Sequence, residues 1–300
     1  MSFVVRLAGI ARVVRPGNLA IVFVGCLTGA VLAGGFTTLR PGFLRPALIA
    51  AFAALLVAAG SNALNDAMDL ESDRVNRPAR PIPSGVVSRR QAIGVWLATS
   101  AVALFLSASL SGLHFVVAAS IAVLLIAYNV WLKHIPVVGN LTVSGCVAAA
   151  LIFGGLSEGP NVDVAAAALF ALLTTFAREV VKDLQDERGD RLADSRTLVA
   201  TAGPRAARFA AASVIVVALA AIPVPYMFMS FSGTYLLVAT LAGGGLCGAL
   251  LALIEARDDR GARAETLDHP VVMLYGRTSL MLKLSMVLGL IALLLARFPE

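Results

Sequence analysis

The sequence predicts an all-α, polytopic membrane protein with nine transmembrane helices, and its composition, block lengths and charge distribution each support that fold class. Of the 300 residues 59% are hydrophobic and only 14% are charged, too few polar side chains to cover the surface of a soluble domain. The mean hydropathy is +0.86. The apolar residues form blocks of about 18 to 24 residues, the length at which an α-helix crosses a hydrocarbon core roughly 30 Å thick.

Short charged connections divide the chain into nine such blocks, which we interpret as one domain over residues 1–300. The predicted spans are 17–35, 45–65, 90–110, 112–131, 137–157, 162–182, 206–227, 232–254 and 275–297.

Basic residues fall mostly on one side of these spans. When the spans alternate in direction, most of the 24 Lys and Arg residues share the side of the N-terminus, and the other side receives only Arg40, Arg45 and Arg297. The positive-inside rule therefore predicts a multi-pass protein of the cell membrane with a cytoplasmic N-terminus and an external C-terminus. The net charge of +6 then reflects topology and contact with membrane lipids, and neither a nucleic-acid partner nor a protein partner is implied.

Three long connections on the inner side, 66–89, 183–205 and 255–274, are the places where a site is expected. The first contains the stretch "NDAMDLESD", in which Asn65, Asp69 and Asp73 are spaced i, i+4. That spacing puts all three on one face of a continuing helix, with Asp66 one position away.

The second connection contains a similar cluster, "KDLQDERGDR". Asp186 and Asp190 are again spaced i, i+4, with Lys182 one turn before them and Asp183 beside it. "DERGDR" aligns with "DLESDR", so residues 65–73 and 183–190 form a faint internal repeat whose two copies end at the same face of the membrane.

Two facing rows of carboxylates repel each other unless a positive charge lies between them. Carboxylate and amide oxygens suit Mg²⁺, which binds through one or two carboxylates and keeps positions for phosphate oxygens. The two rows therefore predict a clamp that holds Mg²⁺ and a diphosphate. In contrast, Glu71, Glu179, Glu187 and Asp194 are expected to be ordinary solvated charges.

Basic side chains near the two rows can neutralise phosphate charge. The candidates are Arg77 and Arg80 in "NRPARP", Lys133 in "YNVWLK", and Arg178 and Lys182. The prolines of "NRPARPIPSG" predict a stiff, non-helical lid over the site.

Polar residues at membrane depth predict an internal cavity rather than lipid contact. Asn140 and Ser144 share a helical face in "GNLTVSG", and Asn18 follows "RPG" in the first span. Tyr128 and its neighbour Asn129 lie at the inner end of their span, where they either line such a cavity or anchor the helix at the membrane interface.

With these motifs the chain closely resembles the UbiA superfamily of intramembrane prenyltransferases. That family is recognised by N-D-x-x-D-x-x-x-D and D-x-x-x-D motifs, which match "NDAMDLESD" and "DERGD" in this order and at a similar spacing. "RPGN", "NRPARPIPSG", "YNVWLK" and "GNLTVSG" also fall where the family has similar stretches, so the resemblance covers essentially the whole chain.

The resemblance implies a bundle around a central cavity, beneath a cytoplasmic cap of loops, in which Mg²⁺ binds the diphosphate of an allylic isoprenoid such as geranylgeranyl diphosphate. Carried over, the metal-site residues would be Asn65, Asp69, Asp73, Asp186 and Asp190, with Asp66 and Asp183 supporting them. The diphosphate would be contacted by Arg77, Arg80, Lys133 and Lys182, and the catalytic set would comprise the four motif aspartates with Lys133 and Arg178.

The acceptor is less narrowly specified. "RPIPSG" and "REVVKDLQDERGD" are most similar to the archaeal branch that prenylates geranylgeranylglyceryl phosphate, whose phosphate would need its own cation, such as Arg178 or an N-terminal arginine. Aromatic acceptors, such as 4-hydroxybenzoate and other quinone or tetrapyrrole precursors, are the alternative, since chlorophyll synthases share "RPIPSG".

A different class, an ion-coupled transporter, would place acidic residues near the bilayer midplane and break helices in both halves. Here the acidic clusters lie at the inner ends of spans, and the outer connections hold few polar residues. The sequence therefore favours an enzyme.

Overall fold

The computed structural model describes residues 3–192, 196–256 and 270–297, and the regular elements within those ranges are all helical. Short 3₁₀ turns occur at Gly35–Leu39 and Leu132–His134. The α-helices are α1 (Phe3–Val13), α2 (Pro16–Gly34), α3 (Pro41–Met68), α4 (Leu70–Asn76), α5 (Arg89–Leu110), α6 (Gly112–Val130), α7 (Val138–Gly155), α8 (Val162–Leu192), α9 (Leu198–Ala221), α10 (Val224–Phe228), α11 (Gly233–Glu255) and α12 (Pro270–Leu294).

Nine segments in the described ranges are long and apolar enough to cross a membrane, which confirms the predicted fold class and span number. They are α2, α3 from Leu44, α5, α6, α7, α8 as far as Glu187, α9 continued through α10 to Phe228, α11 and α12. The predicted spans lie on these segments because the length of an apolar block is a local property of the chain.

The second inner connection differs from the prediction. Instead of a long loop over 183–205, α8 continues to Leu192 and α9 begins at Leu198. Hydropathy falls after residue 182, but a helix outside the membrane does not need apolar residues, and Lys, Gln, Glu and Arg are good helix formers. Gly203 has a φ of 85° and precedes Pro204, so α9 kinks there. The third connection, 255–274, falls largely on residues 257–269, which lie outside the described residues.

Serine residues begin several helices. The Ser88 hydroxyl accepts from the Gln91 amide while the Gln91 side chain accepts from the Ser88 amide, a capping box that starts α5. Ser111 and Ser232 cap α6 and α11 in the same N-terminal position. These caps place the helix starts directly after the non-helical lid and the short connections.

Helix α2 lies inside the bundle, where it packs against α3, α7, α8 and α12. Its contact with α7 is especially close: a Cβ on Gly29 would lie 1.8 Å from the Leu151 carbonyl oxygen, and one on Gly154 would lie 1.8 Å from the Cys26 carbonyl oxygen. Small residues allow such approach between membrane helices. At the inner end α4 packs against α8, which brings the first acidic motif next to the second.

Candidate functional site

The first acidic motif keeps its helical register although its helix is interrupted. α3 ends at Met68, and Asp69 takes a φ of −91° and a ψ of 16° before α4 begins. The backbone amides of Asp69 and Asp73 nevertheless donate to the carbonyls of Asn65 and Asp69, each at 2.9 Å. Asn65, Asp69 and Asp73 therefore stay in one row, as their spacing predicts.

The second motif lies on the uninterrupted inner extension of α8, with Asp183, Asp186 and Asp190 on successive turns. Two hydrogen bonds from α4 connect it to the first motif: Ser72 Oγ donates to Asp190 Oδ1 at 3.2 Å, and Asn76 Nδ2 donates to the Asp186 carbonyl at 2.9 Å. Short polar residues between the acidic positions thus bring the two carboxylate rows together.

Cations from distant segments pair with the carboxylates of both motifs. Arg77 Nη2 lies 2.8 and 2.6 Å from the two carboxylate oxygens of Asp186. Lys133 pairs with Asp69. The lid, residues 77–88, and the 3₁₀ turn before α7 therefore supply the basic side chains that the sequence associated with this site.

Arg80 in the lid pairs with two buried carboxylates, Asp73 and Asp66, which are only 5% and 3% exposed. Arg15, just before α2, donates to Asp66 and also to Asn65 Oδ1 at 3.2 Å. The lid and the first span are thus both tied to the first motif by ion pairs.

Burial and neighbouring charges shift the pKa values of ionisable groups at the inner end of the bundle. Burial, followed by repulsion from Asp186, raises the pKa of Asp190 to about 7. Burial also raises the pKa of Asp73, although Arg80 opposes that change. The pKa of Arg80 is lowered by burial and by the nearby charges of Arg15 and Arg77.

Glu179 contradicts the expectation of a solvated charge. It is 8% exposed and pairs with Arg178 on one side and Lys182 on the other. The helical turn explains this arrangement, because Lys182 follows Glu179 at i+3. Glu71, in contrast, is exposed and pairs with Arg74, as expected for a surface charge. Asp194 lies outside the described residues.

A cavity leads from Asn65 of the first acidic motif into the bundle between α2, α3, α6, α7 and α8, with Met286 of α12 also in its wall. Its empty volume, including its open mouth, is about 1290 Å³. The polar residues at its inner end include Arg15, Asn18, Asn65, Tyr128, Arg178 and Lys182, and the deeper wall is formed mainly by Ala, Val, Ile, Leu and Phe side chains. Asn18 and Tyr128 therefore line a cavity, as the sequence predicts.

Asn140 and Ser144 are buried in α7, but neither lines this cavity in the described part of the chain. Asn140 Nδ2 donates to Asp183 Oδ2 at 2.8 Å, and the Ser144 hydroxyl donates to the Asn140 carbonyl. Asn140 thus holds Asp183, while the Ser144 hydroxyl is satisfied by the backbone of its own helix.

A match over most of the chain decides the protein's family. Residues 22–275 match the UbiA prenyltransferase family. The chain belongs to this family. It is accordingly a multi-pass membrane prenyltransferase, as the two motifs indicated.

UbiA family relatives cover most of this chain. Digeranylgeranylglyceryl phosphate synthase from Natronomonas pharaonis is 38% identical over 248 residues, which make up 81% of this chain and 87% of the relative. Digeranylgeranylglyceryl phosphate synthase from Methanothermobacter thermautotrophicus is 32% identical over 286 residues, covering 94% of this chain and 93% of the relative.

Solved structures share the UbiA fold. A chain from structural work on digeranylgeranylglyceryl phosphate synthase in membranes superposes with a TM-score of 0.69 at 23% identity, covering 97% of this chain and 98% of that one. A UbiA homolog from Archaeoglobus fulgidus bound to GPP and Mg²⁺ superposes with a TM-score of 0.66 at 18% identity, covering 95% and 99%.

The donor groups of the two motifs fit a hard divalent cation. Within the described residues no three His, Cys, Asp or Glu side chains converge closely enough to hold a metal ion, and Asp66, Asp69, Asp73 and Asp186 are paired with cations instead. The available ligands are carboxylate and amide oxygens, which Mg²⁺ prefers. Burial is the main cause of the raised pKa values of Asp73 and Asp190, and a bound cation would favour the charged form of both carboxylates, so the residues present fit such an ion.

Two participants, Arg15 and Ser72, were not named as metal-site residues from the sequence, and Asn129 was expected only as a cavity residue. Arg15 bonds both Asn65 and Asp66, Asn129 accepts from Asn65 Nδ2 at 3.2 Å, and Ser72 bonds Asp190. The arginine of "RPGN" and the polar residue beside Tyr128 were visible in the sequence, but their partners lie 50 or more residues away.

Proposed function

We propose that this UbiA family enzyme transfers a geranylgeranyl group from geranylgeranyl diphosphate to the glyceryl hydroxyl of geranylgeranylglyceryl phosphate, with Mg²⁺ as cofactor. The observation that carries the proposal is a single cavity, of about 1290 Å³ with its open mouth included, whose inner end is charged and whose deeper part is apolar. A diphosphate can stay at the charged end while its isoprenoid chain lies in the apolar part.

The two acidic rows are the proposed metal site. Asn65, Asp69 and Asp73 on one side and Asp186 and Asp190 on the other would hold Mg²⁺, and Asp66 and Asp183 would support them. Asn140 bonds Asp183 and Arg15 pairs with Asp66. These contacts support the arrangement, because they orient the two supporting carboxylates.

The basic side chains are proposed to bind the donor diphosphate. Arg77, Arg80 and Lys133 each pair with a motif carboxylate, and Lys182 lines the cavity beside them. Charge-assisted hydrogen bonds from these groups to phosphate oxygens would orient the diphosphate and favour its departure.

The reaction forms one bond and breaks one bond at the same carbon. The acceptor's hydroxyl oxygen bonds to C1 of the prenyl group, the bond from C1 to the diphosphate oxygen breaks, and the hydroxyl proton passes to the released diphosphate. When bound, Mg²⁺ would neutralise the negative charge that develops on the diphosphate. The apolar wall excludes water from C1 while it carries positive charge.

The acceptor is inferred from relatives. The digeranylgeranylglyceryl phosphate synthase of Natronomonas pharaonis is 38% identical over four fifths of this chain, and "RPIPSG" and "REVVKDLQDERGD" are similar to that branch. Purified protein supplied with geranylgeranyl diphosphate and Mg²⁺ should form the diether with geranylgeranylglyceryl phosphate. Turnover on 4-hydroxybenzoate, without turnover on the glyceryl phosphate, would overturn this choice and favour an aromatic acceptor.

The metal clamp is tested by removing one carboxylate from each row. Asp69→Ala and Asp190→Ala should abolish Mg²⁺-dependent diphosphate release while the protein remains folded, because each row would lose a metal ligand. Glu71→Ala is the matched control, since Glu71 is exposed and pairs only with the exposed Arg74 among the contacts described. Near-normal rates in both aspartate variants would contradict the clamp.

The proposed topology places the N-terminus and the lid in the cytoplasm and the C-terminus outside. The basic residues near the lid support it. In intact cells, a membrane-impermeant maleimide should label Glu158→Cys and not Ser84→Cys in a cysteine-free background, both positions being exposed. The opposite labelling pattern would invert the topology.

A further inference from the structure

Lys283 is a charged residue within a membrane-spanning helix, α12. Its ammonium group donates to Asn18 Oδ1 at 3.0 Å, and within the described ranges no carboxylate forms an ion pair with it. A charged group at membrane depth is costly and therefore usually marks a functional position. Neither the metal clamp nor the proposed diphosphate contacts use Lys283.

The charges around Lys283 leave an excess of positive charge. Three cations line the first cavity, Arg15, Arg178 and Lys182, against one carboxylate, Glu179. Since Arg15 pairs with Asp66, Glu179 must balance both Arg178 and Lys182. Lys283 adds a further positive charge beside Asn18 on the same cavity wall.

Two hydrogen-bonding groups on this wall have no partner within the described structure. They are Arg178 Nε and Thr175 Oγ1, and both atoms are buried. Thr175 is only 3% exposed and, like Arg178, lines the first cavity. Buried groups of this kind are costly unless something bonds to them, and two donors beside uncompensated cations suit an anionic ligand.

A second cavity begins next to these residues. It has an empty volume of about 720 Å³ and lies between α2, α7, α8, α11 and α12. Ile21, Val22 and Met286 line both cavities, so the two share a wall. Met286 is three residues after Lys283, which places the lysine on the cavity-facing side of α12.

The second cavity leads away from the cations along the same helices. On α12 its lining continues from Met286 through Gly289 to Leu293, and on α8 it continues from Thr174 back to Ala167. These antiparallel helices carry both runs away from the acidic motifs. The lining is almost entirely apolar, as a hydrocarbon chain requires.

We infer that the second cavity holds the isoprenoid chain of the acceptor and that Lys283, with Arg178 and Thr175, binds the acceptor's phosphate monoester. The ligand class is a phosphate monoester that carries a long isoprenoid chain. Two apolar cavities that meet at one wall accommodate two prenyl chains, with the acceptor's head group near the donor diphosphate. This inference rests on the proposed function.

The first test removes the charge of Lys283. Lys283→Met should raise the apparent KM for geranylgeranylglyceryl phosphate by about 10- to 100-fold, the range expected for the loss of a hydrogen bond to a charged group. The apparent KM for geranylgeranyl diphosphate should stay unchanged, and Lys283→Arg should restore much of the acceptor binding. An increase in the KM of the diphosphate instead, or no change in either KM, would overturn the inference.

The second test fills the second cavity. A Cβ on Gly289 meets nothing within 4 Å, so Gly289→Phe can place its ring in that space. It should raise the KM for the acceptor at least about tenfold and leave the KM for the donor unchanged. Gly244→Phe on the exposed side of α11 is the matched control, because a Cβ there also meets nothing within 4 Å. Equal effects of the two substitutions would contradict an acceptor chain in this cavity.

A binding measurement separates this inference from the proposed function. Geranylgeranylglyceryl phosphate alone, without donor or Mg²⁺, should raise the Tm of the wild-type protein, and the shift should be smaller in Lys283→Met. Unphosphorylated geranylgeranylglycerol should give equal shifts in both proteins. If wild type forms the diether but Lys283→Met shows an undiminished phosphate-dependent shift, the subsite is wrong while the proposed function stands. If wild type prenylates only aromatic acceptors, the proposed function is wrong.

Discussion

Gly29→Ala should separate α2 from α7 and destabilise the protein. The added methyl carbon would lie 1.8 Å from the Leu151 carbonyl oxygen, whereas distances under 3.0 Å essentially never occur, so the helices must move apart by at least about 1.2 Å. The obstacle is backbone, which cannot rotate away. We therefore expect a cost of about 3 kcal/mol, the upper end of the usual overpacking penalty, together with loss of the contacts that hold membrane helices together.

Thermal unfolding of the detergent-solubilised protein measures this effect. Gly145→Ala, in α7, is the matched control because its new methyl group meets nothing within 4 Å, and it should be neutral or stabilising by up to about 1 kcal/mol through helix propensity. Gly154→Ala should behave like Gly29→Ala, since its methyl carbon would meet the Cys26 carbonyl. Equal Tm values for Gly29→Ala and Gly145→Ala would refute the close α2–α7 contact.

Four further substitutions test the ion pairs and a cap. Arg80→Met removes the ion-pair partner of the buried Asp73, while Asp66 keeps Arg15, and it should cost about 3 kcal/mol and most turnover. Arg74→Met, at an exposed pair, should change stability by less than about 1 kcal/mol. Arg297→Met removes the partner of a carboxylate that is 2% exposed and should lower stability by about 3–5 kcal/mol, with turnover per folded molecule unchanged. Ser88→Ala breaks the α5 capping box and should cost about 1 kcal/mol; denaturant or thermal unfolding checks each value.

Much of the site could be predicted from local spacing. The i, i+4 rows of Asn65, Asp69 and Asp73 and of Asp186 and Asp190 hold because backbone bonds of one turn preserve register, even where α3 breaks before α4. The non-helical lid follows from its prolines in the same local way. The full length of α8 was not predicted, because hydropathy indicates where the chain leaves the membrane and not where its helix ends.

The partners of the site residues could not be predicted in the same way. Glu179 looked like a solvated charge, but α8 turns it into the bundle between Arg178 and Lys182. Ser144 looked like a cavity residue, but it bonds the backbone of its own helix. In both cases the rotation of a helix about its axis decides what a side chain meets, and that rotation depends on packing against neighbouring helices.

The sequence by itself determined the helical membrane fold, the number of spans and the two acidic motifs, because a chain in a bilayer must satisfy its backbone hydrogen bonds within each span. That constraint is local and is readable from length, hydropathy and spacing. Only the tertiary structure decided that Arg15 meets Asp66, that Lys133 meets Asp69, that Lys283 meets Asn18 and that two cavities share a wall. Those contacts join residues from different helices, and their positions depend on how closely the helices approach, as at Gly29 and Gly154.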